Sequence, residues 1–166
     1  MRITHRIEHP GSLARVYAML NDPEYQRLRA ERSGSLEHNF VLDETPEAHI
    51  GISRRRMSTQ DFPDAFRGFV GKTIDLVETF RWGLKERDDF REGAYTFEVE
   101  GTPVTMVGGV HLTQVESGTA HVLDGELKAH LPLFSSRIEK AIQPLIEDGV
   151  ELEDALGREW LTTHPE

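Results

Sequence analysis

Alternating apolar and polar positions begin at the second residue of the chain. Over residues 2–9, Ile3, His5, Ile7 and His9 fall on one side, and charged or hydroxyl side chains fall on the other. A period of two residues is typical of a strand with one buried face. The pattern therefore predicts a first strand over 2–9.

The period then changes to one that fits helices. Ser12 can cap a short helix whose apolar positions are spaced three and four residues apart, up to Leu20. Asp22 followed by Pro23 matches the cap and first turn of a second helix, which we expect to end near Gly34. Two short helices are thus predicted after the first strand.

Strand patterns resume at Ser35 and continue to about residue 131. Six further strands are predicted at 36–42, 50–56, 72–82, 93–100, 103–116 and 119–131. The turn-like sequence DETPE separates the first two of these, and Ser117 with Gly118 joins the last two. Short turns of this kind connect antiparallel neighbours, so we expect an antiparallel sheet of about seven strands.

The sequence PLFSSRIEKAIQPLI, residues 132–146, predicts a long amphipathic helix. Pro132 suits its first turn, and Pro144 removes one intrahelical hydrogen bond, so we expect a bend there that Gly149 loosens further. The apolar positions recur with the helical period at Phe134, Ile138, Ala141, Ile142 and Leu145, and Leu152, Leu156 and Trp160 extend them. Such a face must cover something, and we expect it to cover a cavity.

The segment 58–71 contains an aromatic cluster at helical spacing. Asp61 and Pro63 could open a helical turn, with Phe62, Phe66 and Phe69 four and three residues apart. One interpretation is a loop held to the core by its aromatic side chains. The other is a lid over the mouth of a cavity.

Three stretches of the chain resemble START-like proteins, the superfamily that includes polyketide cyclases and lipid-transport domains. They are LARVYAMLNDPEYQRL, with its Asp-Pro between two helices, VGKTIDLVETFRW, and PLFSSRIEKAIQPLI. The last two are similar to an uncharacterised bacterial branch of the superfamily. The order of predicted elements matches over almost the whole chain.

The resemblance implies an α+β helix-grip fold over a single domain, residues 1–166. In that fold a seven-stranded antiparallel sheet wraps around a long C-terminal helix, and two short helices follow strand one. A cavity between sheet and helix holds an apolar or amphipathic ligand. The superfamily contains carriers, sensors, cyclases and co-chaperones, so the resemblance alone does not imply an enzyme.

Composition narrows the possible partners. The net charge of -10 disfavours binding to nucleic acid or to anionic membrane surfaces. With no cysteine, thiolate catalysis and cysteine zinc sites are excluded. We find neither a signal-peptide core nor an apolar run long enough to span a bilayer, so we expect a cytoplasmic protein without membrane insertion.

Strand alternation and helix periodicity give candidate ligand-binding positions on the inner faces. They are His38, Phe40, Ile52, Arg54, Leu76, Glu78, Phe80, Phe97, Met106, Val110, Leu127, Ile138 and Ile142. The same alternation places Leu131 and the polar side chains of His5, Arg56 and His121 inward. The apolar candidates would serve equally well to fill a dry core. A one-residue slip in register would turn the inward side chains of any strand outward.

Glu78 is the candidate for acid–base chemistry. Apolar neighbours share its face, and desolvation there would raise the pKa of its carboxyl group. Alternatively, Glu78 forms a structural ion pair with Arg54 or Arg56. The eight histidines show no HExxH motif or tight pairing, and no nucleotide-binding loop or nucleophile elbow is present, so no metal and no cofactor is predicted.

Three functions remain open from the sequence. The first is binding or carriage of a small hydrophobic or amphipathic molecule, such as a lipid or polyketide-like compound. The second is a cyclase, aromatase or dehydratase that uses Glu78 as acid or base with Arg54 or His38 positioning an oxyanion. The third is a protein-interaction module with a filled interior.

Overall fold

Seven strands and four helices form in the residues that the structure, a computed structural model, describes: 1–83, 87–130, 133 and 135–165. The strands are β1 (Arg2–His9), β2 (Glu37–Glu44), β3 (Ala48–Ser58), β4 (Thr73–Gly83), β5 (Phe90–Val99), β6 (Val104–Val115) and β7 (Gly118–Ala129). The helices are α1 (Leu13–Leu20), α2 (Pro23–Arg32), α3 (Asp64–Val70) and α4 (Ser135–Thr163).

The strands form one antiparallel sheet in the order β1-β7-β6-β5-β4-β3-β2. The sequential neighbours from β2 to β7 are joined by local connections, and β1 returns to pair with β7 at the edge. Helix α4 lies on the inner face of the sheet, and α1 and α2 follow β1. The predicted α+β helix-grip arrangement is confirmed.

The two short helices begin where the sequence predicts. The hydroxyl of Ser12 accepts a hydrogen bond from the Arg15 backbone N–H at the start of α1. The carboxylate of Asp22 accepts from the N–H groups of Glu24 and Tyr25, and Pro23 occupies the first turn of α2. These caps satisfy donors that a helix end would otherwise leave unpaired.

Three sequence predictions lie outside the described residues: the inward position of Leu131, the place of Pro132 in the first helical turn, and that of Phe134 on the apolar face. From Ser135 onward, α4 runs as one helix and includes Pro144. Pro144 has no N–H to donate to the Lys140 carbonyl. The bend at this position stays a prediction.

The predicted facing of β3 is wrong. In the hairpin, Phe40 pairs with Ser53 and His38 pairs with Arg55, so these residues share the inner face. Arg54 is on the outer face and exposed. The two isoleucines of β3, including Ile52, suggested the opposite parity, but they too lie on the outer face and are half-buried.

The interior has a densely packed part. Its side chains come from the sheet, from α1 and from α4, and they form one apolar cluster. The predicted inner residues Met106, Val110, Leu127, Ile138 and Ile142 all belong to this cluster and are buried. Beside it, under the middle of α4, the interior is hollow.

None of the described helices is both long enough and apolar enough to cross a lipid bilayer.

Candidate ligand-binding cavity

A cavity of about 630 Å³ lies between the sheet, the end of α2, the loop before α3 and the middle of α4. The sheet contributes apolar side chains from Leu76, Phe80, Phe97 and Leu123, all on its inner face. Helix α4 contributes the side chains of Ala141, Leu145 and Ile146, together with Pro144 and Gly149. Most of the wall is therefore apolar.

One part of the wall carries buried charges centred on Glu78. The Arg29 guanidinium of α2 donates to both carboxylate oxygens of Glu78, at 3.1 and 3.3 Å. Arg55 of β3 donates to Oε2 at 2.6 Å, and the Tyr95 hydroxyl donates to Oε1 at 3.1 Å. All four side chains are buried, so this network links α2 to the sheet across the cavity wall.

The network keeps Glu78 ionised. Burial alone would raise the pKa of Glu78, but the two guanidinium groups outweigh this effect and lower it to about 2. The expectation of a raised pKa is therefore wrong, as is the expected partner, because Arg29 and Arg55 pair with Glu78. A carboxylate with so low a pKa is a poor proton donor or acceptor near neutral pH.

A second polar group adjoins the first through Arg29. Glu153 of α4 lies 3.7 Å from Arg29 through Oε2, and its Oε1 lies 2.8 Å from Nδ1 of His121 on β7. Burial alone would raise the pKa of Glu153, but His121 and Arg29 outweigh it and lower the pKa to about 2. Next to His121, burial lowers the pKa of His9, which favours its neutral imidazole.

The predicted site residues divide into three groups. Leu76, Glu78, Phe80 and Phe97 line the cavity together. Met106, Val110, Leu127, Ile138 and Ile142 lie in the packed cluster and are not part of the lining that the structure describes. His38, Phe40, Ile52 and Arg54 are likewise outside this lining.

The predicted positions of His38 and Arg54 at the cavity are wrong for different reasons. His38 is on the inner face, but β2 is an edge strand and the side chain is exposed. Arg54 lies on the outer face, where it pairs with Glu100 at 3.3 Å, and Arg56 pairs there with Asp75 at 2.8 Å. Neither arginine reaches Glu78 because both point away from the cavity.

Sequence reasoning missed Arg29, Arg55 and Glu153 as residues of the cavity wall. The signal for Arg55 was present in the register of the β2–β3 hairpin. When Glu44 pairs with His49, Phe40 pairs with Ser53, and Arg55, two residues after Ser53, lies on the same face as Phe40. Arg29 and Glu153 had no such signal. Their positions depend on how α2 and α4 pack on the sheet.

The aromatic segment 58–71 touches both the core and the cavity. Phe66 of α3 is fully buried in the core, whereas Phe62 is half-buried, packs against Phe66 at 5.2 Å between ring centroids, and lines the cavity. Phe69 is exposed. The segment is thus held to the core by its aromatic side chains, and its role as a lid stays a prediction.

The chain is similar to a family described as "Protein of unknown function (DUF2505)", whose model matches residues 4–161. No curated protein matches the chain. Solved structures that share the fold include the TTHA0849 protein of Thermus thermophilus, at 20% identity and a TM-score of 0.61, with 99% of each chain covered.

Two further solved structures are similar over nearly all of this chain. The ZhuI aromatase/cyclase of a Streptomyces species shares 14% identity with a TM-score of 0.60, covering 99% of this chain and 96% of its own. Human STARD10 shares 15% identity with a TM-score of 0.58, covering 98% of this chain and 66% of its own. At identities this low, the comparisons establish only the fold, which is START-like.

Proposed function

Since the chain belongs to the DUF2505 family, whose description states no activity, we propose a function from the cavity: binding or carriage of a small, mainly apolar molecule that has a polar end. The observation that carries this proposal is the cavity of about 630 Å³, with apolar side chains over most of its wall and paired charges in one part. Ligand pockets in proteins usually have volumes of about 300–1,000 Å³ and this kind of lining.

The apolar wall supports binding by the hydrophobic effect. Side chains from opposite sides of the cavity, such as Phe80 and Phe97 on the sheet and Leu145 and Ile146 on α4, can enclose one apolar group. Burial of apolar surface contributes roughly 25 cal/mol per Å². A ligand with an extended or ring-shaped apolar part would gain most from this enclosure.

The charged wall supports a polar end on the ligand. Glu78 and Arg55 are paired but still line the cavity, so a wholly apolar ligand would face ionised groups. The described lining carries four arginine or lysine side chains and four aspartate or glutamate side chains: Arg29, Arg32, Arg55, Lys140, Asp61, Glu78, Asp148 and Glu153. This balance favours a hydroxyl or carbonyl group over a strongly charged one.

The geometry supports a binding protein better than an enzyme that relies on Glu78. The carboxylate of Glu78 already accepts hydrogen bonds from Arg29, Arg55 and Tyr95, and its pKa of about 2 keeps it deprotonated near neutral pH. The candidate oxyanion-positioning residues Arg54 and His38 lie away from the cavity. A module with a filled interior is also disfavoured by the cavity volume.

The test compares a filled cavity with an untouched one. Native mass spectrometry before and after solvent extraction would detect a retained ligand, and N-phenylnaphthylamine fluorescence would measure uptake of an apolar probe. Ala141→Trp fills the cavity wall, and Val107→Trp on the exposed outer face of β6 is the matched control. We expect the wild type and V107W to bind the probe with equal affinity, and A141W to bind at least about tenfold more weakly.

Absence of probe binding in the extracted wild type would contradict the proposal. Equal binding by A141W and V107W would also contradict it, because the probe would then lie outside the cavity.

A further inference from the structure

Three side chains of the metal-ligating type meet beside the charged wall of the cavity. His9 is the last residue of β1, His121 lies on β7, and Glu153 lies on α4. One nitrogen of each histidine and one oxygen of Glu153 all lie within 4.8 Å of one another. We propose that His9, His121 and Glu153 form a binding site for a divalent transition metal ion, with Zn²⁺ the best match.

The hydrogen bonding of these groups supports the proposal. The exposed fraction is 0% for His9, 5% for His121 and 6% for Glu153. Among the described residues, neither ring nitrogen of His9 has a hydrogen-bond partner, and neither does Nε2 of His121. Within the same part of the chain, Nδ1 of His121 and Oε1 of Glu153 have no partner other than each other, at 2.8 Å. Buried polar atoms without partners are rare and costly. A metal ion would satisfy one atom from each side chain at once.

The three elements are built to bring these side chains together. His9 pairs with Thr119, and Ile7 pairs with His121, so the two histidines are diagonal neighbours on the inner face, with ring centroids 6.1 Å apart. Helix α4 approaches the His9 ring at Gly157, where a Cβ atom would lie 2.6 Å from Cε1 of the ring. A glycine there leaves the imidazole room beside the helix.

Glu153 lies one helical turn before this glycine and so faces the same way. Its Oε2 is held by Arg29 at 3.7 Å, which leaves Oε1 directed at His121. Outer partners of this kind orient metal ligands. Ligands on a tetrahedral Zn²⁺ with bonds near 2.1 Å stand roughly 3.4 Å apart. Nδ1 of His121 and Oε1 of Glu153, now 2.8 Å apart, would separate slightly on binding, and any ligand pair nearer the 4.8 Å limit would move together.

The ligand set favours zinc over magnesium or calcium. Imidazole nitrogen with one carboxylate oxygen suits Zn²⁺ and its transition-metal neighbours, whereas Mg²⁺ and Ca²⁺ prefer oxygen ligands alone. Three protein ligands leave one position of a tetrahedral ion open. Because His121 and Glu153 line the cavity, that position would be available to a polar group inside it.

Contact between the open coordination position and a bound ligand rests on the proposed ligand-binding function, but metal binding itself does not. The two can therefore fail separately. If chelator-treated protein binds N-phenylnaphthylamine but no Zn²⁺, only the metal site is overturned. If it binds Zn²⁺ but no apolar probe, only the proposed function is overturned.

The direct test is calorimetric titration of chelator-treated protein with Zn²⁺, together with Co²⁺ absorption spectra. We expect one ion per chain and visible Co²⁺ bands typical of four-coordinate nitrogen and oxygen ligation. Glu153→Gln and His121→Gln should each weaken Zn²⁺ binding at least about 100-fold. His38→Gln, at an exposed histidine on β2, is the matched control and should bind as the wild type does.

A measurement on the wild type covers the case in which either variant fails to fold. Nitrogen-15 spectra of the histidine rings should show large Zn²⁺-dependent shifts at His9 and His121 and none at the exposed His38. Zn²⁺ binding that E153Q and H121Q leave unchanged, ring shifts confined to other histidines, or no binding by the wild type would each overturn the metal site.

Discussion

The middle of α4 and its C-terminal end have similar apolar patterns and different surroundings. At the C-terminal end, Leu156, Trp160 and Leu161 are buried, and the Trp160 ring meets Tyr25 edge-on at 5.6 Å between centroids. In the middle, Leu145 and Ile146 are only half-buried and line the cavity. The C-terminal end of the helix closes a packed core, and the middle covers a hollow.

This difference shows that an apolar helical face does not by itself specify dense packing. The C-terminal end contacts β1 and α1 where Gly157 faces His9 and Met19. It contacts α2 through Trp160, so these elements fill the space beneath it. Under the middle of α4, the sheet presents the paired charges of Glu78 and Arg55, and an apolar side chain offers these charges no partner. Stability should therefore depend on the packed C-terminal end and on the buried charges, while ligand binding should depend on the hollow under the middle of α4.

The largest expected effect concerns the charges under the middle of α4. Arg55→Met leaves a buried carboxylate without one of its two cations and should lower the free energy of unfolding by about 3–5 kcal/mol. Arg54→Met, one residue away on the outer face, removes only an exposed pair and should cost at most about 1 kcal/mol. Urea denaturation of both variants measures the difference, and equal losses would mean that the β3 facing is misassigned.

The next effect compares the middle of α4 directly with its C-terminal end. Leu156→Ala removes a fully buried side chain and should cost about 2–5 kcal/mol. Leu145→Ala enlarges a space that is already hollow and should cost under about 1 kcal/mol, with a change in probe affinity instead. Thermal and urea unfolding provide the check. A loss for L145A as large as that for L156A would show that the middle of α4 is packed as well.

A smaller effect appears on acidification. The folded-state pKa of Glu78 is about 2, below its ordinary value of 4.5, so its contribution to stability is complete above pH 4.5 and is lost as pH falls toward 2. By pH 3 this loss should reach about 2 kcal/mol. Glu78→Gln should be less stable at pH 7, and its stability should fall less steeply between pH 5 and 3. Parallel slopes for the two proteins would contradict the lowered pKa.

Much of the fold could be predicted because it depends on local patterns. Alternation located β1 to the residue, and Ser12 and the Asp22-Pro23 pair marked the starts of α1 and α2. The element order then matched the START-like arrangement. The facing of β3 was mispredicted because Ile50 and Ile52 look like core residues, although the hairpin register turns Ser53 and Arg55 inward.

Less of the candidate site could be predicted because it depends on packing between distant elements. Glu78 was correctly assigned to the inner face, but Arg29 reaches it from α2, a helix with little apolar character. His9, His121 and Glu153 come from the first strand, the last strand and the C-terminal helix, without a shared motif. A spacing rule along the sequence cannot find groups that only the tertiary fold brings together.

The most direct test of the hollow under the middle of α4 is methyl NMR spectroscopy during titration with N-phenylnaphthylamine. The account predicts shifts at the methyl groups of Leu76, Leu145 and Ile146, which line the cavity, and unchanged signals at Leu156 and Leu161 in the packed C-terminal end of α4. Shifts centred on Leu156 and Leu161, or no shifts at the cavity methyl groups when the probe is bound, would contradict it.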